Sequence, residues 1–467
     1  MDKKVYPKKQ TRRSGSMKPI AGFHLVRFGT AADQKFLLGS LLATYDQLIV
    51  NANIMAYMTS AIAMFISTKA KNKPYIIDPQ THAFQHDLSL IESQSEKSKG
   101  QIKKSIKKLI DAFGEPVETS ILNKKRPLIP KDFKDSSVTR GFCQRVINFQ
   151  LETVSRELEG SDAAKYYRYI GLKVSDMFSP TTIVAPYFYL FESEFKKWLQ
   201  VNVMCSKISK KILKAKKKPL ASQIVISQDI LIDNEKIDML VEEYAKVKPD
   251  IFLLWVDDLY EQDASAIKLE ALINLINRLG QIAPVANLYG GFFSVALGKS
   301  GITPNLVGVA HSLEYGEYRG VVPVGGGFPA AKFYFPQLHT RLLFRDALRA
   351  LRAVGGSKTI TGYYKTVCSC KMCKDIIKNN PESEFKEYGE MKHSAKGKPY
   401  PATETKNKTV THYMWCKKRE YHNTPTIKEI VRNLNKTKGT LEKVLGPDGV
   451  RHCIVWAKVL NQHFKLK

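Results

Sequence analysis

Acid is scarce in this chain of 467 residues: 44 Asp and Glu stand against 73 Lys and Arg, a formal net charge of +29. The imbalance argues for a polyanionic partner, nucleic acid before an anionic membrane. Long apolar runs are missing as well. The richest stretch, 36–66, is interrupted by Asp46, Gln47, Asn51 and Asn53, so no window reaches the roughly 20 apolar residues of a membrane-spanning helix. No apolar core directly follows the basic first residues, and no secretory leader is expected. No Gly-x-Gly-x-x-Gly or Walker-type loop follows a strand-like run, which argues against a nucleotide-binding open sheet. Cysteine is sparse, seven in all with three inside 368–373. That distribution fits metal ligation in a reducing compartment, not a disulfide framework. A cytoplasmic protein is expected.

What is present is a folded chain: 43% hydrophobic and 10% aromatic residues exclude a disordered polyelectrolyte. Residues 1–18 read as a flexible basic arm. From Thr181 onward short apolar runs (TIVAPYFYL, QIVISQ, DIFLLWVDD, PVANLYGG, LVGVAHS) alternate with helical stretches, the signature of repeated βα units. YII at 75–77 reads as an earlier strand, and 90–175 as a polar helical insertion. Polar residues end nearly every strand, which favours a (β/α)8 TIM-like barrel over 19–350. Beyond 350 the composition turns rich in Cys and Lys, marking a zinc-binding and helical subdomain over 351–467.

The sharpest local signal is Cys368-Ser369-Cys370-Lys371-Met372-Cys373. Three thiolates in one turn suit tetrahedral Zn²⁺, and a fourth protein ligand would make the site structural. His393, His412, Cys416 and His422 are available. His412 is favoured because HYMWCKKRE reads as the start of an amphipathic helix able to fold back over the cysteines. The stretch SAKGKPYPATETKNKT between them then reads as an inserted loop. Carboxylates gather at strand ends: Asp78 closes YIID, and Asp257-Asp258 close IFLLWVDD. Asp78 before Pro79 also suits a helix cap or an Asx-turn.

A Cys-x-Cys-x-x-Cys run after a βα array resembles the tRNA-guanine transglycosylase superfamily, as an order of features over about 76–412. The family's fourth zinc ligand is a histidine at a spacing this chain does not reproduce: His393 lies 20 and His412 39 positions past Cys373. PYIIDPQTHAFQ is similar to the family's early Asp-Ser-Gly-Gly-Phe-Gln segment, keeping Asp78, Phe84 and Gln85. The resemblance implies proton transfer for Asp78 and contact with the reacting base for Phe84 and Gln85. Near LVGVAHSLEYGEYR the family carries a nucleophilic Asp that is absent here. Asp257, Asp258 or Glu314 could replace it, the Asp pair first, with His311, Ser312 and Glu314 reading the base. The chemistry calls for carboxylates because one attacks C1′ and holds a covalent glycosyl-enzyme while another moves the proton. Aromatic walls would receive the flipped base, Phe84, Tyr187 and Tyr289 being candidates. With no RNA-binding module in view, the chain most resembles the branch that inserts 7-deazaguanine (preQ0-like) bases into DNA, tRNA being the alternative acceptor and modification-system proteins its expected partners. Other readings are a catalytically silent nucleic-acid-binding paralogue and a zinc-containing nucleic-acid hydrolase.

Overall fold

The computed structural model describes residues 19–70, 73–93, 98–173, 177–313, 316–322, 330–393, 397 and 399–465. The expected N-terminal arm and Glu314 lie outside them. The framework is a parallel sheet: β1 (His24–Phe28), β2 (Gln47–Asn51), β3 (Tyr75–Asp78), β4 (Ile183–Val184), β5 (Tyr189–Leu190), β6 (Leu220–Ile226), β7 (Ile251–Val256), β8 (Val285–Asn287) and β9 (Leu306–Ser312). Its order is β3-β2-β1-β9-β8-β7-β6-β4, with β5 also on β6. β4 pairs with the start of β6 and β5 with its end, so TIVAPYFYL is one strand position interrupted at Pro186.

These strands are buried on both faces, as a parallel sheet covered by helices requires, and their polar members are few. Alternation sends Leu25, Ile49, Ile76, Val225, Leu253, Ala286 and Ala310 to one buried cluster. Their neighbours Val26, Leu48, Ile77, Ile224, Leu254 and Val309 join the larger cluster under the helices. A sheet with a buried cluster on each face, one of them small and enclosed, is strongly curled. No ladder joins its edges β3 and β4; instead Thr181 N donates to Tyr75 O at 2.9 Å, and Tyr187 N donates to Thr81 Oγ1 at 2.9 Å. The architecture is therefore a curled parallel α/β sheet, and the two edges approach each other without ladder pairing.

Helices fill the connections. The insertion between β3 and β4 holds Lys104–Phe113, Ser136–Leu158 and Asp162–Tyr169. Asp135 caps the second by accepting from Ser137 N at 2.7 Å, a contact typically contributing about 1 kcal/mol. Phe195–Lys216 runs from the end of β5 back to the start of β6 and buries Trp198, Leu199 and Leu213. Beyond β9, a hairpin (β10, Lys332–Phe335; β11, Thr340–Leu343) leads to short helices, then to Thr403–His422 and Ile427–Lys465. The expected loop before HYMWCKKRE is thus corrected: residues from Thr403 are already helical, and although Thr, Asn and Val are poor helix formers, no Gly or Pro interrupts them and Thr405, Thr409 and Val410 are buried by packing. Ile427–Lys465 breaks at Gly446 (φ +75°) before Pro447, and the part beyond the break folds back on the sheet-covering layer, where Trp456 Nε1 donates to Glu261 O at 3.0 Å. No helix among the described residues is long and apolar enough to cross a membrane.

Candidate functional site

The C-terminal ends of the strands meet at a polar mouth. Arg27, two residues past Leu25, emerges on the inner face of β1 and is only 3% exposed. Its Nη2 donates to Asp78 Oδ2 at 2.6 Å and to Asn51 Oδ1 at 2.7 Å, linking the ends of β1, β2 and β3. The Tyr289 ring lies 4.9 Å from the Arg27 guanidinium carbon. Asp78 is engaged on both oxygens: Oδ1 also accepts from Tyr187 Oη at 2.6 Å and from Gln80 N at 3.1 Å. Burial alone would push its carboxyl up, but the adjacent guanidinium overrides this and holds it below the usual range. The local Asx-turn coexists with the long-range ion pair, and Asp78 is absent from the cavity lining.

Asp257 and Asp258 leave the strand separately. Asp257 Oδ1 accepts from Val321 N at 2.6 Å, and Oδ2 from Tyr189 Oη at 3.2 Å, so it ties the segment after β9 to β5. Asp258 sits at φ +50°, a left-handed conformation that Asp tolerates better than most residues. It lines a cavity of about 410 Å³ with Arg27, Asn51, Asn53, Ser312 and Arg319. Burial and then Asp257 raise its carboxyl above the ordinary value. A second cavity of about 150 Å³, sharing Arg27, Asn53 and Arg319, adds His82, His86, Trp255 and Tyr289. Burial drives the His82 pKa down to about 3, leaving the ring neutral.

Several expectations need correction. Phe84 is fully buried in the outer cluster against Phe113, 6.3 Å away, and is core. Gln85 donates to Tyr189 O at 3.1 Å and accepts from Tyr189 N at 2.6 Å, completing the backbone of β5. His311 faces outward: its Nε2 lies 2.8 Å from His24 Nε2, among Tyr413 and Tyr421. Burial lowers its pKa to about 3, and this face of the sheet takes it away from base reading. Ser312, one residue on, does reach the larger cavity. Arg27 and Arg319 escaped the sequence reading: an arginine in a short apolar run, as Arg27 is, looks like an edge or surface residue until its partners are known, and Arg319 stands in the polar segment EYRG, which reads as an ordinary solvated loop.

The second polar centre lies in the C-terminal part. Ligand atoms of Cys368, Cys370, Cys373 and His412 all fall within 4.8 Å of one another. His412 Nδ1 is 3.3 Å from both Cys370 Sγ and Cys373 Sγ, while Nε2 sits 2.7 Å from Tyr334 O. The backbone partner fixes which ring nitrogen is free to ligate. Cys416, one helical turn beyond His412, lies 3.7 Å from Cys368 Sγ and is a neighbour of the cluster. His422 is exposed and turned to Lys418 O at 2.9 Å; the His393 side chain lies outside the described residues. Three sulfurs and one imidazole at these separations can hold a metal ion. On the same helix, Lys417 is wholly buried, paired with Glu317 and, at 2.7 Å, with Glu420. It thereby joins the helix that carries His412 to the segment after β9. In comparisons with known proteins, no family profile matches the chain and no curated protein matches it.

Proposed function

We propose that the chain exchanges a guanine-type base in nucleic acid for a 7-deazaguanine, DNA being preferred to tRNA as acceptor. One observation carries the reading: Asp258 lines a mouth at the strands' C-terminal ends together with Arg27, Asn51, Asn53, Ser312 and Arg319, where barrel enzymes hold their chemistry. The sheet is read as a (β/α)8 barrel whose β3–β4 seam is bridged by Thr81 and Thr181. The metal is read as structural zinc, since thiolate and imidazole donors suit it and a four-ligand set leaves no open position. A reducing, cytoplasmic setting agrees with the free thiols.

In this mechanism Asp258 attacks C1′ of a flipped nucleoside, the C1′–N bond breaks, and the base leaves carrying a proton taken from water at the mouth. The entering base gives up its proton to that water, attacks C1′ and releases the carboxylate, so exchange is proton-neutral overall. Asp78 takes a different part from the one its motif implies: kept ionised by Arg27, it orients that guanidinium and does not carry the proton.

Incorporation of radiolabelled guanine or preQ0 into plasmid DNA and bulk tRNA, offered in parallel, tests the proposal. Label in DNA, abolished by Asp258→Asn and retained by Asp257→Asn, is expected. Label in tRNA alone would move the acceptor. The competing reading, a silent binding protein, draws on the fact that both Asp78 oxygens are already engaged. Nucleic-acid binding without label in either acceptor would favour it.

A further inference from the structure

The two cavities at the mouth differ in charge. Asp33 and Asp258 line the larger one, whereas no Asp or Glu among the described residues lines the inner cavity of about 150 Å³. Three cations line it instead: Arg27, Arg319 and Lys103. Asp78 neutralises Arg27, and neither Arg319 nor Lys103 has an ion-pair partner among the described residues. Arg319 is anchored by its carbonyl, which accepts from Trp255 Nε1 and Asp258 N, each at 3.0 Å, and its charge acts on the His82 ring. Lys103 Nζ donates to Leu90 O at 2.7 Å, which leaves two of its three protons. Four lining residues carry buried polar atoms without a hydrogen-bond partner: Arg27 (Nε and Nη1), His82 (Nδ1), His86 (Nε2) and Tyr289 (Oη), none more than 7% exposed. Arg27 Nη2 is spent on Asp78 and Asn51, so three N–H groups of a donor-only side chain are left. Leaving them buried and unmet is costly. The helix Lys104–Phe113 also begins here: Lys103, Ser105 and Ile106 line the cavity, and no side chain caps the start. The first N–H groups of a helix have no intrahelical partner and form the positive end of its dipole.

We propose that the inner cavity binds a dianionic terminal phosphate, either the free ion or a phosphate monoester. Its donors come from β1 (Arg27), from the segments after β3 (His82, His86) and β9 (Arg319), and from the start of a helix. That is more than the two oxygens of a carboxylate accept, whereas a terminal phosphate offers three acceptor oxygens and a charge near −2. The charge matches Arg319 and Lys103, the two cations left without a counter-ion. An internal phosphodiester brings one charge and only two free oxygens. Arginine forks and helix N-termini are both general devices for holding phosphate. Asp33 and Asp258 repel an anion from the larger cavity, which keeps the two sites distinct. The proposal goes beyond base exchange, since its ligand is a small phosphate compound and not the acceptor strand.

Equilibrium dialysis of radiolabelled inorganic phosphate against the full chain, in buffer otherwise free of phosphate, provides the test. Saturable binding of one phosphate per chain is expected, undisturbed by thymidine or by thymidylyl-thymidine, whose only phosphate is an internal diester. Displacement by thymidine 5′-phosphate would support a monoester site, and its failure to displace would support a site for the free ion. Arg319→Gln should weaken binding about 10-fold or more, and Lys103→Gln less, because the lysine head also serves Leu90 O. Tyr289→Phe serves as a second probe: it keeps the Arg27–Asp78 pair, touches the inner cavity alone and should weaken binding several-fold. The triple Lys→Gln variant at 207, 211 and 214, on the helix Phe195–Lys216, should bind as the wild type does. That control separates the site from the general pull of a chain with a net charge of +29. Absence of saturable binding, unchanged affinity in folded Arg319→Gln and Tyr289→Phe, loss of binding in the triple variant, or displacement by the diester would each overturn the proposal. No turnover enters the measurement, so base exchange and the phosphate site stand or fall separately.

Discussion

At the scale of single residues, the mouth depends on one buried ion pair. Arg27 and Asp78 are 3% and 1% exposed, so each would be untenable without the other. Breaking such a pair from one side usually costs about 3–5 kcal/mol, because the remaining charge is stranded in low dielectric. Arg27→Met should therefore lower the unfolding free energy read from urea titration by an amount of that order, whereas the double variant Arg27→Met/Asp78→Asn should recover most of the loss. A double variant no more stable than the single would show that packing around Tyr289, not charge, is at stake. The same pair shows what a sequence conceals. Asp78 was legible, since it ends an apolar run before proline. Arg27 was not: nothing in HLVRF distinguishes an arginine pointing into a curled sheet from one at a solvated edge. Asp258 was half legible, since the Asp pair marked the strand's end but gave no sign of which member the turn would aim at the cavity.

Elements were more readable than their contacts. The βα alternation past Thr181 survives in β4 to β9, because strand runs and helical periods differ plainly in spacing. β1 and β2 were blurred, because Arg27, Gln47 and Asn51 interrupt the apolar pattern that marks a buried strand. The helix Thr403–His422 began earlier than the sequence suggested, and it carries both His412 and Lys417. That coincidence would couple any metal held by the Cys368–His412 cluster to the packing of this helix. One metal ion per chain is expected from elemental analysis. Cys373→Ser and His412→Ala should lose it, and Cys416→Ser should retain it, since Cys416 falls outside the four-atom cluster. Chelation should also expose the cysteines to thiol reagents and loosen the helix, because metal–ligand bonds contribute directly to folding of such small units. A Cys416→Ser protein without metal would replace His412 or one of the cysteines in the ligand set.

For the molecule as a whole, the question is where a charge of +29 meets a polyanion. The densest lysine run lies on Phe195–Lys216, whose C-terminal half returns to the start of β6 and so sits at the end of the sheet opposite the mouth. Lys207, Lys211 and Lys214 are exposed there and share one helical face. The mouth itself is served by Arg319 and Lys103. A nucleic acid docked for chemistry at Asp258 should therefore engage the second group and not the first. Each phosphate contact contributes about 0.9 to the slope of log K against log salt. Fluorescence anisotropy on duplex DNA should give the wild-type slope for the triple Lys→Gln variant at 207, 211 and 214. Arg319→Gln and Lys103→Gln should each reduce it by about one. A drop of about three in the triple variant would place the nucleic acid along the far end of the sheet. In that case the binding surface and the carboxylate-bearing mouth would be separate, and the silent-binder reading would become the better account of the charge.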